Sequence, residues 1–464
     1  MTKSATVGLL PLYLKLYDDV QKNLRDQFEP FVEKIVSGLS DRGIEVERAP
    51  ICRLEPEFRA AVDSFEKQDV DMIVTVHLAY SPSLESVGVL ASTRIPVLML
   101  DTTMDAEFGL DVDPERIMYN HGIHGVQDLA NVLRRRGKRF RIVAGHIDDE
   151  EVLDRVADIV RAYAAARALR GMRVLRIGES FRGMGDFGVP DALLYSAFGI
   201  TVDTVDSTAL AEWVTNVSPN DIAREMSLDR ADYTVEAPED VHRRSVRVGL
   251  GLRALLESKD YGAFSANFLA FSSPDEPVDT VPFLEASKAM TRGLGYAGEG
   301  DVLTAALVGA LNGVYGAVNF TEMFCPDWQG GSVFLSHMGE FNPVTAREMP
   351  RLIEKPFPWA GAKNPAILTA TPTPGPAVLV NLAPGPDDSF ALVLAPVEVL
   401  GEATHTAMRD SVRGWMRPEC SLESFLERYS ANGGTHHSAL VHSAGLEALE
   451  AFAEFAGLPY TVIN

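Results

Sequence analysis

The stretch DMIVTVHLAYSPSLESVGVLASTRIPVLML, Asp71 to Leu100, decides how the first part of the chain folds. Its two ends, DMIVTVHLAY and IPVLML, are short, continuously apolar runs. Between them, SPSLESVGVLAS has helical spacing and opens with a serine suited to capping a helix. Strand, helix and second strand in that order put the two strands parallel in one sheet covered on both faces. The pattern extends outward. ATVGLLPLY (5–13) is a strand-like run, residues 18–42 have helical periodicity up to Gly43, and IEVERAP (44–50) alternates. A helix over about 55–67 leads into the opening stretch. Beyond it, GIHGVQDLANVLRRRG reads as helix, FRIVAGH as strand, and DDEEVLDRVADIVRAYAAARALRG as a long helix acidic in its first turn. This is a doubly wound α/β domain over residues 1–170.

A second unit of the same kind follows over 171–324. MRVLRIG, GITVDTVDS and SANFLAF are its strands. Helices run through 207–258, then over VPFLEASKAMTRGLGY and GEGDVLTAALVGALNG. From residue 325 to 464 prolines crowd the chain, and AILTAT, AVLVNL and FALVLAPVEVL read as antiparallel strands of a barrel-like domain. The expected fold class is therefore α/β: two doubly wound parallel-sheet domains followed by a β-rich, barrel-like C-terminal domain.

The formal net charge of -23 argues against nucleic acid and against an anionic membrane surface, because both need a basic face. It suits a cation. No apolar run approaches the ~18 residues of a transmembrane helix. The opening MTKSATVGLLPLYL reads as a first strand rather than a signal peptide. The three cysteines are odd in number and scattered, which points to a reducing compartment, and the expected location is cytoplasmic. Cys325 is expected to be a buried thiol.

Nucleotide signatures are missing. There is no G-x-x-x-x-G-K-[ST], and no G-x-G-x-x-G follows the first strand, so no cofactor-binding loop is expected. RGMGDFG is glycine-rich with the wrong spacing. What remains is carboxylate and imidazole in unusual places: Glu299 and Asp301 in YAGEGD, Glu322 in NFTEMF, His337 and Glu340 in SHMGEFNP, and His436 and His437 in GGTHHS. Carboxylates with neutral imidazoles suit a divalent ion such as Mn²⁺, Zn²⁺, Co²⁺ or Fe²⁺ with open positions. Each candidate has a plainer reading. Asp301 reads best as a helix cap. Glu322 is a loop end about as readily as a ligand, and His337 a hydrogen-bonded core residue. If His436 and His437 lie on a strand, their side chains face opposite ways and only one reaches a given ion.

These segments resemble the L-arabinose isomerase family, within the wider L-fucose/L-arabinose isomerase-like group. YAGEGDVLTAAL carries the strongest likeness, then NFTEMF with SHMGEFNP, then GGTHHSALVH. VTVHLAYSPS, MYNHGIHG, VAGHIDD and RIGESFRGMGD add weaker likeness, and the pieces occur in family order over nearly the whole chain. The resemblance implies a metal-dependent aldose–ketose isomerase acting on a pentose, hexose or deoxysugar through a metal-chelated enediolate. It implies Mn²⁺, or Co²⁺ or another divalent metal, on Glu299, Glu322, His337 and His437. It makes Glu299 and Glu322 the catalytic acid/base pair. His436 and Phe181 would contact the sugar, and His124 would reach a neighbouring subunit's site in a homohexamer. Two stretches that border the pocket in the family, near LLPLYLKLYDD and FSSPDEPVDT here, depart from its pattern. The sugar is therefore left open. An isomerase of branched sugars or sugar acids, a non-catalytic sugar-binding or regulatory protein, and a metal-dependent hydrolase or lyase are the alternatives.

Overall fold

The computed structural model describes residues 5–275, 277–401 and 406–464. Met1–Ser4 of the opening stretch and Glu276 of FSSPDEPVDT lie outside them. The chain divides between Ala164 and Ala165 into two compact units.

The first unit is a parallel sheet of β1 (Ala5–Leu12), β2 (Ile44–Arg48), β3 (Met72–His77), β4 (Val97–Asp101) and β5 (Phe140–Ala144). Their order is β2-β1-β3-β4-β5, the flavodoxin-like doubly wound order. β3 is buried along its whole length, as a strand with helices on both faces must be. Two local expectations fail here for clear reasons. The helix Ser83–Ser92 has no side-chain cap of its own. Instead Asp128, from the helix Ile123–Arg135, accepts from the Ser83 amide at 3.0 Å and from its hydroxyl at 2.9 Å. The continuous helix expected over 18–42 is broken into Lys15–Val20 and Glu29–Asp41. Asn23 takes a left-handed conformation (φ 69°), and Pro30 starts a new helix because its missing N–H costs nothing in the first turn.

The second unit holds three sheets. In chain order its strands are β6 (Arg173–Ile177), β7 (Thr201–Val205), β8 (Thr234–Val235), β9 (Ala263–Ala266), β10 (Gly295–Gly298), β11 (Val318–Asp327), β12 (Ser332–Ser336), β13 (Arg351–Glu354), β14 (Ala366–Thr369), β15 (Gly375–Pro384), β16 (Phe390–Val399), β17 (Gly414–Pro418), β18 (His437–Val441) and β19 (Tyr460–Val462). The parallel sheet runs β10-β9-β6-β7. β10 was not expected, because its sequence GYAG has little β propensity and the helix before it was read through to Tyr296. That helix stops at Thr291. The glycines serve packing instead. A Cβ on Gly295 would run into the Ala305 carbonyl and the Gly309 amide of the helix Val302–Tyr315, so only glycine lets that helix lie flat on the strand.

The remaining strands divide unequally. β15, β18, β11, β12, β17 and β16 pair in that order, and β15 pairs back onto β16, so the sheet closes into a barrel. β19 adds to β16 in parallel. Closure leaves no open edge among these six. The barrel reaches back to Val318, ahead of the start expected at residue 325. AILTAT is not part of it: β14 pairs with β13, and β13 with β8, in a separate small sheet. Alternate residues of the barrel strands, among them Leu335, Leu379, Val397 and Leu440, pack with Phe425 and Tyr429 of the helix Leu422–Ala431 in one buried cluster. Past a register shift between Met323 and Cys325, the end of β11 is exposed. Cys325 is thus an exposed thiol and not a buried one.

The helix-on-strand contact sets a stability test. Gly295→Ala is expected to cost about 1–3 kcal/mol through overpacking, read as a lower midpoint in chemical denaturation. A midpoint equal to that of the unaltered protein would mean the contact is not close.

Candidate metal centre

Neighbouring strands of the barrel bring three side chains to one end of it. In the antiparallel pairing Glu322 of β11 stands opposite His437 of β18 on one side and Ser336 of β12 on the other. His337 follows directly on Ser336. A slip of one residue would turn these side chains to the other face. The fourth group, Glu299, comes from the parallel sheet, one residue beyond the end of β10. The carboxyl ends of parallel strands are where open α/β sheets place their ligands.

Glu299 sits in a left-handed backbone conformation (φ 63°) between Gly298 and Gly300. That conformation is uncommon for a residue with a side chain and costs about 1–3 kcal/mol. It aims the carboxylate inward, where it is 5% exposed. Gly298 gives the room: a Cβ there would meet Cε1 of His337 at 2.5 Å.

Each buried imidazole is held by a buried carboxylate. The Nδ1–H of His437 faces Asp301 Oδ2 at 3.0 Å, and Asp301 Oδ1 accepts from the Thr304 amide at 2.9 Å. Asp301 is therefore a helix cap, as expected, and a partner to the histidine as well. The Nδ1–H of His337 faces Glu340 Oε2 at 2.7 Å. Glu340 is itself fixed by the Tyr296 hydroxyl at 2.5 Å and the Gly339 amide at 2.8 Å. Carboxylates on Nδ1 leave Nε2 of both rings directed into the site. Both Nε2 atoms are buried without a partner. Phe320 packs edge-on against the two rings, 4.7 Å from His337 and 4.9 Å from His437.

One ligand atom each from Glu322, His337 and His437 lie within 4.8 Å of one another, and so do those of Glu299, His436 and His437. The two groups share His437. His436 precedes β18, so strand alternation does not separate it from its neighbour. Its Nε2 is 3.8 Å and that of His437 3.7 Å from Glu299 Oε2. Both histidines thus face the same carboxylate; only His437 lies on the strand, so the condition for alternation is not met. His436 carries its own carboxylate: Asp186 Oδ2 lies 2.6 Å from Nδ1 and 2.9 Å from the His436 amide. Phe187, next to Asp186, stacks on the His437 ring at 5.0 Å and 8°.

The electrostatics follow from this packing. Burial pushes the Glu299 carboxyl up, but the His436, His337 and His437 imidazoles outweigh it and hold it below the usual value. Burial pushes the His337 imidazole down, and the Glu340 carboxylate reverses this and raises it. Burial likewise opposes charge on His436, yet the Glu299 and Asp186 carboxylates bring it up to about 9. A divalent cation would satisfy the orphaned Nε2 atoms and the converging carboxylates together, and nitrogen–oxygen donors of this kind suit Mn²⁺, Co²⁺ or Zn²⁺. The residues present fit such an ion.

The structure thus gathers Glu299, Glu322, His337, His436 and His437. The Phe181 amide donates to the Glu299 carbonyl at 2.8 Å, and its half-buried ring lies against Phe268. His124 belongs to the first unit, exposed on the first turn of the helix Ile123–Arg135. Asp186, Phe187, Phe320 and Tyr296 were not singled out in the sequence. Asp186 and Phe187 lie in the glycine-rich RGMGDFG, whose spacing fits no nucleotide loop; Asp186 also ends RIGESFRGMGD, one of the stretches of weaker likeness.

A parallel sheet whose carboxyl ends meet one end of a barrel, with carboxylate-backed histidines there, makes a site able to hold a divalent ion. Comparison with known proteins gives one family along the chain. The L-arabinose isomerase N-terminal domain matches residues 20–171, the L-arabinose isomerase central domain residues 173–315, and the L-arabinose isomerase C-terminal domain residues 317–459. The L-arabinose isomerase of Nocardioides sp. (strain ATCC BAA-499 / JS614) is 29% identical over 409 residues, covering 85% of this chain and 80% of that protein. That of Klebsiella pneumoniae (strain 342) is 25% identical over 416 residues, covering 86% and 82%. That of Serratia proteamaculans (strain 568) is 25% identical over 461 residues, covering 94% and 90%. The chain belongs to the L-arabinose isomerase family, a family of aldose–ketose isomerases.

Glu340→Gln removes the charge behind His337 and keeps its shape. Loss of such a partner typically costs 10–100-fold in metal affinity. Titration calorimetry of the metal-free protein with Mn²⁺ is expected to show a loss of that size. Unchanged affinity would mean that His337 is not a ligand.

Proposed function

We propose that this protein is a metal-dependent aldose–ketose isomerase, with Glu299, Glu322, His337 and His437 holding Mn²⁺ or a similar divalent ion. The observation that carries the reading is the pair of buried Nε2 atoms, on His337 and His437, left without a partner beside two glutamates. When bound there, the ion supplies Lewis acidity to the carbonyl and hydroxyl oxygens of an open-chain sugar. The protein's own groups do the rest. One of the two glutamates takes the proton from C2 and returns it to C1, and the other serves the proton on oxygen. The Glu299 carboxyl, held below its usual pKa, is ionised at neutral pH and ready to accept. His436 and Phe181 line the sugar's side of the site.

The partner is a small sugar. The net charge of -23 disfavours nucleic acid and anionic membranes, and no helix of the described residues is long and apolar enough to cross a membrane. The same reading makes the working form a cytoplasmic homohexamer in which His124 serves a neighbouring subunit's site.

The decisive test is Mn²⁺-dependent interconversion across pentoses, hexoses, deoxysugars, branched sugars and sugar acids, with His437→Ala as control. Activity is expected to vanish on chelation, return with Mn²⁺ and be absent from the control. Bound metal without turnover of any of these sugars would overturn the isomerase reading. Turnover in D₂O then separates two routes. Deuterium at C1 of the product supports proton transfer through an enediol, whereas its absence means a direct hydride shift.

A further inference from the structure

Of the groups at the site, His436 is held by contacts that no local motif prepares. Its carboxylate partner comes from the other half of the unit, in the loop between β6 and the helix Asp191–Phe198. The parallel sheet reverses direction at β6: β7 is added on one side, β9 and then β10 on the other. The crevice at such a reversal, outside the carboxyl ends, is where α/β sheets receive small ligands. The loop after β6 opens onto it, and two adjacent loop residues serve two adjacent histidines. Asp186 takes both polar hydrogens that fix the placement of His436, the backbone N–H at 2.9 Å and Nδ1–H at 2.6 Å. Phe187, 2% exposed, covers the ring of His437. Two hydrogen bonds to one carboxylate oxygen leave the His436 ring little freedom about either torsion. Its Nε2 is thereby pointed at Glu299. Yet His436 differs from the two buried imidazoles. Its side chain is 29% exposed, that of His437 0% and that of His337 2%. It stands at the partly exposed side of the site, open to a molecule that enters from solvent.

We propose that Asp186 is a positioning residue that sets how His436 meets the sugar, and that through it the RGMGDFG loop helps to select the substrate. This inference rests on the isomerase reading and adds to it a residue that acts on the sugar side of the site and not on the metal side. Among the described residues, the hydrogen bonds and ion pair of the Asp186 carboxylate go to His436 and not to Glu322, His337 or His437, so its removal leaves the proposed metal ligands in place. A charged carboxylate behind an imidazole does more than orient it. Replacing it by an amide of the same shape can present the wrong ring hydrogen to the partner.

The test compares Asp186→Asn, His436→Gln and the double variant, each as the full chain. Three quantities are read: Mn²⁺ affinity of the metal-free protein by calorimetry, kcat and KM separately on L-arabinose or on the sugar that the panel favours, and the far-downfield imidazole N–H proton resonances. Asp186→Asn is expected to keep Mn²⁺ affinity within about threefold and to lower kcat/KM by about 10–100-fold, the free-energy equivalent of about 1.4–2.8 kcal/mol. The double variant should be no worse than the poorer single one, because both changes cut the same link. One downfield resonance, assigned by its absence from His436→Gln, should vanish in Asp186→Asn. Losses that multiply in the double variant, a fall in Mn²⁺ affinity matching the fall in kcat/KM, or a resonance that survives in Asp186→Asn would each overturn the proposal. If the unaltered protein turns over no sugar, the isomerase reading fails by itself, and the resonance still decides whether Asp186 holds His436.

Discussion

The structure of the second unit turns on one constraint: a buried imidazole has two nitrogens, and only one is given a protein partner. Asp301 and Glu340, both fully buried, take the Nδ1 hydrogens of His437 and His337. Burying a carboxylate is costly unless it is well paired, and here each is paired at least twice. The pairing spends those charges on orientation. The opposite nitrogens, at about 1–3 kcal/mol each for burial without a partner, are then the unsatisfied groups of the site. His242, backed by Asp229, has the same arrangement alone; what sets His337 and His437 apart is that both converge on one group of carboxylates.

That constraint explains why barrel and sheet are needed together. The barrel alone sets Glu322 between the two histidines through strand register, and closure keeps that register from slipping. Among the described residues, the metal-ligating group on the barrel's own strands and loops holds Glu322 as its single carboxylate. The parallel sheet contributes Glu299 from the end of β10, and the glycines around it carry the cost of the approach. Gly295 lets the helix Val302–Tyr315 sit against β10, which sets the position of Asp301 at the helix start. Gly298 leaves room for the His337 ring. One helix N-terminus thus supplies the partner of His437, and the residue just past the strand before it is Glu299. Packing between backbone atoms, not side-chain propensity, fixes the distance between them.

Much of this was legible in the sequence, for definite reasons. Parallel strands buried on both faces leave continuous apolar runs, so β1, β3 and β4 could be read directly. Ionisable residues set among glycines and apolar runs stood out, so Glu299, Glu322, His337 and the His436–His437 pair were found. What could not be read has a common cause: it is fixed by tertiary contact. β10 is strand because a helix packs on it, although its residues favour turns. AILTAT alternates like a barrel strand, and only pairing partners distant in sequence assign it to another sheet. Whether His436 and His437 face the same way depends on where β18 begins, a boundary of one residue. Asp186 finds His436 across 250 positions of sequence, and no local pattern records that.

Two kinds of support therefore meet at the histidine pair. His437 is fully buried and backed by Asp301, which arises from the same segment as Glu299; changing one disturbs the other. His436 is partly exposed and backed by Asp186, from a loop whose next residue, Phe187, covers His437 without a polar contact to it. The first kind of support is rigid and shared, so the chemistry it serves tolerates little variation. The second is local and separable. A loop at a sheet's reversal point can change its length and residues without moving the strands beside it.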